Sequence, residues 1–248
     1  MASQVTSVAT AHPIRPRGWQ MGFWTAILTA VAAAAALGIA VTTAPPRSGP
    51  FCMVDLVGEC ITYPYTDAAA FVPNDYLWMY PAFLLGPLFV ILVGCLHPYA
   101  TADKQVFSHL APAFALFAAV PLATNYFIQL TVVQASLLRG ETAGLSLFSQ
   151  YNPHGVFIAL EDIGYLMLGV AFLFAAAVFD GRDRLERALR LVFVTTGVLA
   201  IGALILLALL YGGDLEYRYE VAVIVIDWTA LIVAGVLLSR FFRRGVRE

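Results

Sequence analysis

The chain has 248 residues, of which 60% are hydrophobic and only 12% charged, and its mean hydropathy is +0.81. Soluble proteins carry about 25% charged residues, so this composition excludes a soluble fold and points to one solvated by lipid. The 14 basic and 16 acidic residues give a net charge of −2 with no long basic run, which leaves nucleic-acid binding without an electrostatic basis.

Crossing about 30 Å of hydrocarbon takes roughly 20 apolar residues in a helix. Six stretches meet that length, at 20–42, 76–97, 108–135, 154–179, 190–212 and 219–241. Only helices and closed barrels satisfy their backbones in lipid, and runs such as Leu191 to Tyr211 are too long and too uniformly apolar for barrel strands. The expectation is an all-α polytopic bundle of six transmembrane helices, a single integral membrane domain over 1–248. The first span follows Arg15 and Arg17 and ends at Pro45 and Pro46. Its apolar run exceeds the roughly 7–15 residues of a signal peptide, so it is expected to stay in place as an anchor. Its small-residue surface, Ala30 and Ala32 to Ala36 followed by Gly38, suits close helix packing.

The connection 43–75 is the longest and holds Cys52 and Cys60. In an oxidising compartment these two are expected to form a disulfide, whereas Cys95 reads as a small apolar residue of the second span. Pro81 and Pro87 lie in the second span, Pro112 and Pro121 in the third, and the last two spans have none. Helices 2 and 3 are therefore expected to be proline-kinked. This lopsided distribution does not match the paired broken helices of an inverted-repeat transporter. Between the fourth and fifth spans, Asp183 with Arg187 and Glu186 with Arg190 have i, i+4 spacing, which reads as a solvated helix entrance.

With the N-terminus in the cytoplasm, the inside segments hold Arg15, Arg17, Lys104, Arg182, Arg184, Arg187, Arg190, Arg240, Arg243, Arg244 and Arg247. The outside segments hold only Arg47, Arg139 and Arg218. This bias predicts N-in/C-in topology, with 43–75 extracytoplasmic, in a plasma (inner) membrane. The aromatic residues Trp19, Trp24, Trp78, Tyr211 and Tyr217 fall near span ends and read as an interfacial belt.

Glu161, Asp162 and Asp227 fall inside predicted spans with no Lys or Arg at comparable depth. Such carboxyls are costly in lipid and face a bundle interior, a partner or a water-filled cavity. Counting 1.5 Å per residue places them about two turns below the outer boundary, level with Asn125, Gln129 and Gln134 of the third span and near Asp75, Tyr76 and Tyr80 of the second. Helical spacing aligns Asn125 with Gln129, Tyr76 with Tyr80, Glu220 with Asp227, and His154 with Glu161 and Tyr165. The candidate pocket therefore comprises Asp75, Tyr76, Tyr80, Asn125, Gln129, His154, Glu161, Asp162, Tyr165 and Asp227, with Glu161, Asp162 and Asp227 as candidate catalytic groups.

Three functions suit these residues. The first is an outward-facing, carboxylate-lined intramembrane pocket that binds a small cation, proton or amphiphile for transport or sensing. The second is a membrane enzyme acting on a lipid or isoprenoid-like substrate by carboxylic acid/base chemistry. The third is an accessory subunit in which the polar groups only specify packing. His154, Glu161 and Asp227 have zinc-ligand chemistry but follow no recognisable motif. His97 and His109 lie at the cytoplasmic ends of the second and third spans, where two imidazoles have the chemistry to bracket a haem but read more simply as interfacial residues. No metal or cofactor is expected, and no hydrolase, zincin, P-loop or dinucleotide motif is present. The lipid bilayer and a small amphiphilic or cationic ligand are the expected partners. Reporter fusions after residues 60, 145 and 215 should read as outside and those after 103, 184 and 248 as inside. Reversal at 103 and 145 would overturn the topology.

Overall fold

The computed structural model describes residues 16–43 and 48–247. Arg15 and Arg47, which entered the charge count, and Pro45 and Pro46, which ended the first span, lie outside the described residues. Six long helices are present: α1 (Pro16–Thr43), α2 (Met79–Gly94), α3 (Gln105–Ile128), α4 (Val156–Ala176), α5 (Arg184–Tyr211) and α6 (Tyr217–Arg247). No strand occurs among the described residues. All six helices are long and apolar enough to cross a membrane, which marks the chain as an integral membrane protein.

Helices α1, α2, α3, α4 and α6 pack in a closed ring in that order, with α6 returning to α1. Helix α5 lies outside the ring against α4 and α6, and it is the most apolar and least buried of the six. Small residues set the closest approaches. A Cβ placed on Gly235 of α6 would meet Ala26 O at 2.6 Å and Ala30 Cβ at 2.8 Å, and one on Gly169 of α4 would meet Ala200 Cβ of α5 at 2.8 Å. The alanine-rich surface of α1 is thus used against α6. Without a hydrophobic drive between helices in lipid, such backbone approach is what holds neighbours together.

One end of the bundle gathers 48–78, 140–155 and 212–216. There Cys52 and Cys60 form a disulfide, with Cα atoms 6.0 Å apart, inside the usual range for that bond. The opposite end gathers 95–104, 177–183 and the last turns of α6. Asp183 caps α5 by accepting from Glu186 N at 2.8 Å and also pairs with Arg244. The Glu186 N–H first, and then the Arg244 guanidinium, hold the Asp183 carboxyl below the usual carboxylate range. A depressed folded value stabilises above the ordinary carboxylate pKa of about 4, and that contribution fades as pH falls through the folded value. Lys104 and Arg182 both pair with Asp180 at this end.

Several expectations need correction. Helix α5 begins at Arg184, because Asp183 caps it there. Glu186 does not pair with Arg190. Its carboxylate accepts from Tyr99 Oη at 2.6 Å and from Arg182 N at 3.0 Å. Helix α3 continues past Ile128 through a π turn at Gln129–Val133 into Gln134–Arg139. The imidazoles of His97 and His109 have centroids 4.4 Å apart, which leaves no room for a macrocycle between them. His97 Nδ1 is instead 2.8 Å from Ser108 Oγ. Apart from these corrections, Pro87 lies inside α2 and Pro112 and Pro121 inside α3, positions compatible with the expected bends, while Pro81 falls in the first turn of α2, where its missing N–H costs nothing.

The α1–α6 seam yields a direct test. Gly235→Leu should lower stability by about 1–3 kcal/mol through overpacking, measured by thermal unfolding in detergent. Gly38→Leu should not, since a Cβ there meets nothing within 4 Å.

Candidate functional site

From their close approach at Gly235, α1 and α6 run on towards the disulfide end. A cavity of about 200 Å³ opens there between α1, the start of α2, α4 and α6. Its polar wall carries Asp75, Tyr151, Tyr217 and Glu220, and its aromatic wall Trp78, Phe157 and Trp228. Leu37 of α1 and Val221, Ile224 and Val225 of α6 form the aliphatic wall. Val221 and Val225 are 38% and 52% exposed, so the cavity is open beside them along α6.

The roof is fixed by hydrogen bonds. Ser48 Oγ donates to Tyr151 O at 2.8 Å, so at 2.6 Å the Tyr217 hydroxyl donates to Ser48 Oγ. Tyr151 Oη donates to Asp75 Oδ2 at 2.5 Å. Phe51 also lines the cavity, and it adjoins the disulfide-closed turn.

Behind the Glu220 wall lies the acid cluster. Tyr126 of α3 donates to Glu161 Oε1 at 2.6 Å and is 2.7 Å from the Tyr165 hydroxyl, which in turn accepts from Trp228 Nε1 at 2.8 Å. Glu220 of α6, half-buried, lines the cavity beside this row. Asp227 is fully buried, and neither of its oxygens meets a donor. Asp162 Oδ1 and Tyr219 Oη are likewise buried without a partner. Among the described residues no Lys or Arg forms an ion pair with any of these four acids. Glu161 and Asp227, fully buried without a cationic partner, must be neutralised by a proton or by a bound cation.

The sequence-predicted residues therefore divide. Asp75 reaches the cavity, and Glu161, Asp162, Tyr165 and Asp227 form the cluster behind it. Asn125 and Gln129 are buried on one face as expected, but they serve the backbone: Asn125 Nδ2 donates to Phe157 O at 3.0 Å and Gln129 Nε2 to Phe148 O at 2.6 Å. Tyr76 is fully buried beside Gln150 while Tyr80 is 56% exposed. The 3₁₀ turn at Asn74–Tyr76, followed by α2 only from Met79, breaks the i, i+4 register assumed for that pair. His154 is exposed, because Asn152 Oδ1 accepts from its N–H in a turn and α4 starts only at Val156. It cannot join Glu161 and Asp227 around a metal, and among the described residues no group of three or more His, Cys, Asp or Glu is placed to hold one.

Sequence reasoning missed Tyr126, Trp228 and the inward role of Glu220, and it assigned Trp78 to the interfacial belt. The available signal was the stripe Glu220, Ile224, Asp227/Trp228 and Leu231, whose spacing follows one helix face.

The two deepest acids should respond oppositely to replacement. Glu161→Leu strands the Tyr126 hydroxyl and should cost about 1–3 kcal/mol. Asp227→Leu strands no donor and should leave the thermal unfolding midpoint unchanged or raised. A fall for Asp227→Leu matching that of Glu161→Leu would show a structural carboxylate at 227. No family model matches the chain, and no curated protein or solved structure is detectably similar to it.

Proposed function

We propose that this protein binds a cationic amphiphile in the outer leaflet, for transport or sensing, through an outward-facing pocket lined by carboxyls and aromatic rings. In this reading the termini are cytoplasmic and the disulfide end is outside, in keeping with the distribution of Arg and Lys. The observation that carries it is the chemistry of the cavity walls. Glu220 and the indoles of Trp78 and Trp228, whose centroids are 5.8 Å apart, line the same space as the aliphatic side chains of α1 and α6. A carboxyl beside aromatic faces suits an ammonium head, which the ring quadrupole attracts more strongly once water is removed. The aliphatic wall suits the tail, and the gap at Val221 and Val225 lets such a molecule enter sideways from lipid.

Calorimetric titration of the purified protein with dodecyltrimethylammonium in an uncharged detergent tests this reading. Saturable binding is expected, weakened at least tenfold by Glu220→Gln, which corresponds to about 1.4 kcal/mol. Absence of saturable binding, or equal affinity in Glu220→Gln, would overturn it.

A further inference from the structure

At the arginine end of the bundle the acids and bases do not balance locally. Asp183 takes Arg244 of α6, Glu186 takes Tyr99 Oη and Arg182 N, and Asp180 is held by Lys104 and Arg182. The ion pairs that helical spacing allows along the start of α5 are therefore not made. Arg190 is left without a carboxylate, and Arg187 reaches only a backbone carbonyl, its Nε donating to Asp183 O at 3.3 Å. Among the described residues Arg184, Arg240 and Arg243 form no ion pair either, and Asp103, in the connection between α2 and α3, pairs with none of them. Exposed guanidiniums thus collect on α5 and α6 without a counterion from the protein.

The same geometry sets this charge above an apolar strip. Helices α5 and α6 pack against each other, and the Arg244–Asp183 pair joins them at this end. Arg240 lies one turn before Arg244 and Arg187 one turn after Asp183, so these two arginines flank one seam at one depth, on the membrane side of the pair. Arg187, Leu191, Val194 and Val198 follow i, i+4, i+7, i+11 along α5, while Val233, Val236 and Arg240 follow i, i+3, i+7 along α6. All seven side chains are exposed. A phosphate accepts hydrogen bonds from guanidinium forks, and acyl chains fit an aliphatic strip. A free anion would use only the first. We infer that the α5–α6 seam at the arginine end binds an anionic phospholipid, its phosphate held by Arg187, Arg190 and Arg240 and its chains laid along Leu191, Val194 and Val233. The seam lies at the opposite end of the bundle from the cavity, and its ligand carries the opposite charge, so this site stands apart from the amphiphile reading.

The full chain, purified in an uncharged detergent, is titrated with dioleoyl phosphatidylglycerol, dioleoyl phosphatidylcholine or inorganic phosphate. Bound lipid is counted by native mass spectrometry, and the thermal unfolding midpoint is followed in parallel. Saturable binding of a single phosphatidylglycerol is expected, at least tenfold tighter than phosphatidylcholine, with a raised midpoint because the ligand binds the folded state and with affinity that falls as salt is added. Combining Arg187→Gln, Arg190→Gln and Arg240→Gln should weaken phosphatidylglycerol at least tenfold and leave the lipid-free midpoint unchanged, since these side chains are exposed and hold no carboxylate. Arg218→Gln, which removes a guanidinium at the disulfide end, should bind phosphatidylglycerol as wild type does. Equal affinity of wild type for the two lipids overturns the site, and this comparison decides the matter even if the combined variant does not fold. Equal weakening by Arg218→Gln and the combined variant overturns it as well, because attraction to net charge then replaces a site at the seam. Inorganic phosphate that saturates the protein as tightly as phosphatidylglycerol overturns the lipid as ligand.

Discussion

A carboxyl group in hydrocarbon has to find its partner inside the protein, and this constraint organises the bundle. Glu161, Asp162, Glu220 and Asp227 lie on α4 and α6, and those two helices face each other with a row of donors around Glu161. Helix α3 supplies Tyr126 and α6 supplies the Trp228 indole. The arrangement puts α4 between α3 and α6 within the ring. Helix α5 carries no acid beyond Glu186 in its first turn, makes no demand on the interior, and lies at the periphery with its aliphatic side chains exposed.

The two ends are secured by different means. The end with the arginines is tied by charge, with Lys104 and Arg182 on Asp180 and Arg244 on Asp183. Where these pairs are exposed, water and salt screen them, so each is a weak constraint. The other end is tied by a covalent link and by neutral hydrogen bonds through Ser48, Tyr151 and Tyr217. The same two helices that meet backbone to backbone at Gly235 both line the cavity nearer the disulfide. Tight packing at one level thereby sets the width of the opening at another.

Hydropathy was enough to read six apolar spans, the pair of cysteines in the longest loop to read the disulfide, and the cost of a carboxyl in lipid to single out Glu161 and Asp227 as buried. These signals are averages over long windows or depend on one residue's cost in lipid, so local irregularity does not disturb them. Phase was less legible. A 3₁₀ turn before α2 separated Tyr76 from Tyr80, and a turn before α4 removed His154 from the helix altogether. Both errors came from extending ideal helical spacing past a helix start. Trp78 and Trp228 were misplaced or missed for a different reason. An aromatic residue near a span end has the same sequence signature whether it faces lipid or a cavity, and only the packing of neighbouring helices distinguishes the two.

The hydrogen bond from Tyr126 to Glu161 also bears on biogenesis. The ribosome delivers α3 before α4, so the Tyr126 hydroxyl is available when Glu161 first leaves the translocation machinery. Glu220 arrives two helices later, once α5 has been inserted. Throughout that interval Glu161 and Asp162 sit in a partial bundle, and a neutral acid is far cheaper to hold in lipid than an anion. The uncharged form is thus favoured during assembly, and the charge of this interior is settled only when α6 enters against α1, α4 and α5.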